Sequence, residues 1–102
     1  TVTIQIGNSD NKLTQQEWAD FVSTMKGDVL ASGVTVHFFG GSPTWERWQN
    51  AAWVVDGSDV GLARLKLWVQ ERCGQFRQES VAWTQGVTEM VPALPTKAGG
   101  GK

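Results

Sequence analysis

Few residues of this chain have the types needed for chemistry. His37 is its single histidine and Cys73 its single cysteine. An imidazole binds a metal only with further ligands, and no cysteine or carboxylate stands at ligand spacing from His37, so a packed or solvent-facing strand residue is expected there. Cys73 falls on an apolar helical stripe with no His or Lys placed to lower its pKa, which predicts core packing. There is no triad and no carboxylate pair. Gly7-Asn8-Ser9-Asp10-Asn11 lacks the glycine repeats of a phosphate cradle. What remains is recognition chemistry in Gly40–Trp53, GGSPTWERWQNAAW, which holds three of the six tryptophans. Trp45 and Trp48 are three apart, so one helical turn sets both indoles on one side with Glu46 and Arg47 turned outward. Rigid amphipathic rings grouped this way suit recognition, and Gln49, Asn50, Asn8 and Gln5 offer polar partners at the rim. The competing expectation is a lid packed over the end of the core.

The elements that must position these residues read clearly. Val2, Ile4 and Ile6 alternate with Thr3 and Gln5, the period of a half-buried strand. Turn formers follow, and Thr14 stands three residues before Glu17, a capping box that starts a helix near Gln15. Trp18, Phe21, Val22, Met25 and Val29 make its apolar stripe, and Gly33 closes it. A second strand is expected over Val34 to Phe39 and a third over Trp48 to Val55, joined as a hairpin by the tryptophan loop. Asp56-Gly57-Ser58-Asp59 stops that strand and offers an N-cap. The second helix carries Leu62, Leu65, Val69, Cys73 and Phe76, with Gly74 near its end. Ser80 to Val91 is expected as a fourth strand, bulged near Gly86.

The order strand, helix, strand, strand, helix, strand predicts an α+β, ferredoxin-like domain over residues 1–91, with a flexible tail over 92–102. Both helices then cover one face of a four-stranded antiparallel sheet. If Val2, Ile4, Ile6, Val34, Val36 and Phe38 meet the helices, alternation leaves Thr3, Gln5, Thr35, His37 and Phe39 on the open face. Strand three permits either face, and small Ala52 with Val54 is expected beneath the helices, which puts Trp53 and Val55 outside. Trp83 is open to either side. His37, Phe39, Trp53 and Val55 would then form an apolar patch that a second copy covers, giving a homodimer or larger homo-oligomer.

Composition limits the partners. The chain has 102 residues, 40% of them apolar and 19% charged, within the globular range. Its nine Lys and Arg against ten Asp and Glu give a net charge of −1, without the positive field that drives nucleic-acid binding. No apolar run is long enough for a membrane span, and one cysteine cannot form an internal disulfide. A cytoplasmic setting and no cofactor are expected.

Several families share parts of this pattern. Strand one, TVTIQI, has no aromatic, which argues against the base-stacking sheet of RNA-recognition domains. Asn50-Ala51-Ala52-Trp53-Val54-Val55-Asp56-Gly57 resembles the Asn strand and Asp-Gly turn of acylphosphatases, but the loop after strand one holds no arginine for a phosphate and Asp10 would repel it. The apolar open face is similar to that of dimeric ferredoxin-like barrels, a likeness that implies a monooxygenase or haem-degrading enzyme with His37, Asn8, Gln5 and tryptophans around an enclosed pocket. The segments IGNSDNKLTQQEW and WQNAAW resemble short uncharacterised proteins of actinobacteria and their phages over most of residues 2–91. That resemblance implies an intracellular accessory protein, encoded by a phage or by a bacterium. The absence of an acid, base or nucleophile constellation favours a non-catalytic, homo-oligomeric binding protein for a small planar ligand or protein partner, with the barrel enzyme as the alternative.

Overall fold

Alternation in Val2–Gly7 produces strand β1, and the helix that follows starts as its capping residues dictate. The structure is a computed structural model that describes residues 1–8, 12–42 and 49–95. Helix α1 spans Gln15–Ala31. The Thr14 hydroxyl accepts from the Glu17 N–H at 3.1 Å, and Glu17 Oε1 accepts from the Thr14 N–H at 3.0 Å, so two otherwise unbonded donors are satisfied reciprocally. Gly33 takes φ +83° just past the Ser32 cap, a conformation that strains a residue with a Cβ. Strand β2 is Thr35–Gly41, β3 is Asn50–Asp56, helix α2 is Asp59–Gln75 and β4 is Ala82–Gln85. Ser58 caps α2 by accepting from the Gly61 N–H at 3.1 Å.

The strands form one antiparallel sheet in the order β2-β3-β1-β4, with β1 and β3 central and β2 and β4 at the edges. This is the α+β, ferredoxin-like arrangement expected from the element order. The core lies between the sheet and the helices. Trp18, Phe21, Met25 and Val29 of α1 and Leu65 and Val69 of α2 meet Val2, Ile4 and Ile6 of β1. Phe76 stacks on Phe21 with ring centroids 4.7 Å apart, and Arg72 of α2 donates from Nε to Asp28 of α1 at 2.7 Å. Cys73 packs half-buried at the end of α2 and donates to the Gln78 carbonyl.

Three expectations are corrected. Ala51, Trp53 and Val55 face the helices, and Trp53 is only 1% exposed. The indole removes more apolar area from water than any other side chain of β3, and Ala51 beside it leaves the volume it needs. Ala52 and Val54 therefore lie on the open face. In β2 the register shifts between Val36 and Phe38, so His37 is an extra residue that reverses the alternation. Phe39 consequently pairs with Trp53 on the helix side, where their ring centroids are 5.0 Å apart, while Phe38 pairs with Val54 on the open face. Finally, β4 stops at Gln85. Gly86 still exchanges hydrogen bonds with Thr1, but Val87–Val91 leaves the sheet.

The open face is thus more polar than alternation alone suggests. Thr3, Gln5 and Thr84 share it with Ala52, Val54 and Ala82. Among the described residues its one large aromatic is Phe38, which lies over Gly40, where a Cβ would come within 2.6 Å of the ring. Trp83 pairs with Ile4 on the helix side and packs half-buried against the core.

Candidate functional site

A concavity of about 670 Å³ runs between α1 and the β2–β3 edge of the sheet. The helix supplies Trp18, Ala19, Val22 and Lys26 to it, and the sheet supplies Phe39 and Ala51. Its walls exist because of the bulge at His37, which turns Phe39 to this side. The Lys26 ammonium sits 4.9 Å from the Phe39 ring centroid, so the rim carries one positive charge above an aromatic floor. Among the described residues Lys26 makes no ion pair.

One end of the groove is built from amides. Gln49 Nε2 donates to Gln15 Oε1 at 2.7 Å, and Gln15 Nε2 donates to Gln49 Oε1 at 3.2 Å. Behind them Asn8 is 1% exposed. Its side chain donates to the Leu13 carbonyl at 3.0 Å and to Gln49 Oε1 at 3.2 Å, and accepts from the Leu13 N–H at 3.0 Å. Its backbone N–H donates to the Gln49 carbonyl at 2.8 Å. Asn8 spends these bonds on holding the start of α1 to the start of β3, which makes it a positioning residue beneath the groove. No buried side-chain polar atom of the described residues lacks a partner. Ser42 and Asn50 close the hairpin: the Ser42 N–H donates to the Asn50 carbonyl and the Asn50 N–H to Ser42 Oγ, each at 2.9 Å.

The residues singled out from the sequence therefore divide. Gln49 and Asn50 line the groove and Asn8 supports it, whereas Gln5 stands on the open face, on the other side of the sheet. Trp45 and Trp48 lie outside the described residues. Phe39 is a groove wall, and Trp53 and Val55 are core, so none of the three forms an open-face patch. His37 belongs to a different end of the molecule. Its Nε2 lies 3.0 Å from Asp56 Oδ2, and Asp56 also pairs with the Thr1 ammonium at 2.8 Å. That ammonium, together with His37, holds the Asp56 carboxyl below its usual range. Asn8 follows the far end of β1, so it and His37 do not share a pocket within one chain.

The groove residues that sequence reading missed are Gln15, Val22 as a wall, and Lys26. Their signal was the flank of α1 adjoining its apolar stripe, Trp18, Val22 and Lys26 at four-residue spacing. A second crevice of about 360 Å³ between α2 and β4 includes Lys66, Cys73 and Trp83. Burial pushes the Cys73 thiol pKa up, which favours the protonated, unreactive form. Among the described residues, no three His, Cys, Asp or Glu side chains converge as metal ligands, and no helix is long and apolar enough to cross a membrane. No protein-family model, curated protein or solved structure matches the chain.

Proposed function

We propose that this chain is a non-catalytic, self-associating binding protein, with the α1–β2/β3 groove as its binding site. The observation that carries this reading is the groove itself: an aromatic and aliphatic wall, an amide end and one ammonium on the rim. Ligand sites are commonly apolar concavities with a few fixed polar groups that set orientation. A small planar molecule with an acceptor or anionic substituent matches this layout. Its ring would lie along Val22 and Phe39, and its substituent would reach Lys26 or the glutamine amides. The setting we assign is cytoplasmic, as an accessory protein of a bacterium or its phage, supported by the free cysteine and by the segment resemblances.

The planar aromatic sulfonate 1-anilinonaphthalene-8-sulfonate is a suitable probe. Titrated into low-micromolar protein, it is expected to bind saturably at one site and to shift the amide resonances of Val22, Phe39 and Ala51. Ala19→Trp, which fills the groove from an exposed helix position, is expected to abolish these shifts while leaving the melting temperature unchanged. Shifts centred on Gln5 and Thr84, or no saturable binding, would overturn the assignment.

A further inference from the structure

Self-association needs a surface, and with Trp53 and Val55 inside the core two exposed apolar surfaces of the described residues match each other. The first is the outer side of β2. Among the described residues this edge strand of seven residues pairs on one side alone; it contains neither Pro nor Lys to block addition and leaves Val36 and Phe39 36% and 39% exposed. Beside it on α1 runs the row Val22, Lys26, Leu30, four residues apart and hence on one flank, with Leu30 67% exposed. The second is the segment after β4. Val87 and Val91 are 98% and 78% exposed, and among the described residues Val87–Pro95 makes no hydrogen bond to the domain.

The two surfaces match in pattern, charge and length. In an extended Val87-Thr88-Glu89-Met90-Val91, alternate residues share a face, so one face reads apolar, acidic, apolar. The helix flank reads apolar, basic, apolar. Val22 to Leu30 spans about 12 Å at the helical rise, and Val87 to Val91 spans about 13 Å as a strand. We propose that Val87–Val91 of one copy adds as a strand to the open edge of β2 in a second copy, with Val87 and Val91 against Val22 and Leu30 and Glu89 against Lys26. The pattern is symmetric about Glu89, so it fits in either strand direction.

Geometry favours exchange between copies over folding back. The segment leaves β4 at the edge opposite β2, three strand spacings or about 14 Å away. Crossing that width consumes about four extended residues, so Val87–Val91 itself cannot lie along β2, and the stretch that would arrive first is Val91-Pro92-Ala93-Leu94-Pro95, in which two residues have no N–H to donate. In a second copy the proline-free stretch reaches the edge directly. Because the two contacting surfaces differ, the contact is heterologous, and it closes as a reciprocal exchange or a ring or else continues as a chain.

This inference rests on the self-association part of the proposed function; the tail would cover Val22 and Lys26, which the planar ligand also uses, so association is measured without that ligand. Sedimentation velocity from about 5 to 500 µM tests it on the full chain, with Glu89→Lys, Lys26→Glu, their combination and a chain ending at Gly86. The full chain is expected to associate, each charge reversal to weaken association about tenfold, the double reversal to restore most of it, and the shortened chain to remain monomeric. A full chain that stays monomeric, or association indifferent to the reversals and to truncation, would overturn the proposal. Anilinonaphthalene sulfonate binding by the shortened chain separates the two readings: if it still maps to the groove, loss of the tail contact leaves the ligand site standing.

Discussion

Trp53 and Val54 are neighbours on one strand with opposite environments, the indole enclosed between sheet and helices and the valine on the open face. Trp53→Ala is expected to cost about 3–5 kcal/mol, because the cavity it leaves is lined by side chains fixed in place. Val54→Ala should cost less than about 1 kcal/mol. Urea denaturation of the two variants checks the register directly, and equal costs would contradict it. Alternation was legible in the sequence here, but the face was not. Small residues fit under the helices more easily by volume alone, whereas the area that burying an indole removes from water decides the outcome. Asn8 was legible as a polar residue after β1 and was expected at a ligand; burial at 1% and its bonds to Leu13 and Gln49 place it in support of the loop. Asn8→Ala should lower stability by about 2–3 kcal/mol, read by the same denaturation series, because the buried Leu13 backbone groups lose their partner. Cys73, with its thiol pKa raised by burial, should react with a disulfide reagent at pH 8 more slowly than in the urea-unfolded chain.

Helix α1 was the most legible element, since both halves of its capping box are local. Thr14 and Glu17 are three residues apart in sequence and meet as that spacing requires. The backbone N–H of Thr14 and the nearby Arg77 guanidinium hold the Glu17 carboxyl below its usual range. A carboxylate with a lowered folded pKa adds stability above its unfolded pKa and loses it as pH falls through the folded value. Wild type should therefore exceed Glu17→Gln in urea midpoint at pH 6, with the difference shrinking once pH falls below the ordinary carboxylate pKa near 4.5 and lost below the lowered folded value. A difference that does not shrink between pH 6 and pH 3 would contradict the assignment. Strand β2 was less legible. Its bulge depends on how β3 pairs with it, a non-local fact, and the extra residue moves Phe39 from the open face to the groove. The end of β4 was likewise hidden, because Val87–Val91 has strand-like alternation yet leaves the sheet after Gly86 bonds to Thr1.

At the scale of the whole molecule the element order sufficed to give the ferredoxin-like sheet, since two helices of similar length and four alternating segments admit few other layered arrangements. The location of the groove was not legible, because it depends on the bulge, on the flank of α1 and on the end-to-end placement of Gln15 and Gln49, which are 34 residues apart. The two helices are held together at Asp28 and Arg72, and Asp28→Ala should lower the melting temperature without altering ligand or tail binding, both of which lie on the other flank of α1. The central claim is that the edge of the sheet beside α1, and not its open face, is the working surface. Amide chemical shifts of the full chain followed over a dilution series test it most directly. Val22, Lys26, Leu30, Phe39 and Val87 to Val91 are predicted to move together with concentration while Thr3, Gln5, Ala52 and Thr84 stay fixed; concentration-dependent shifts confined to the second group would contradict the account.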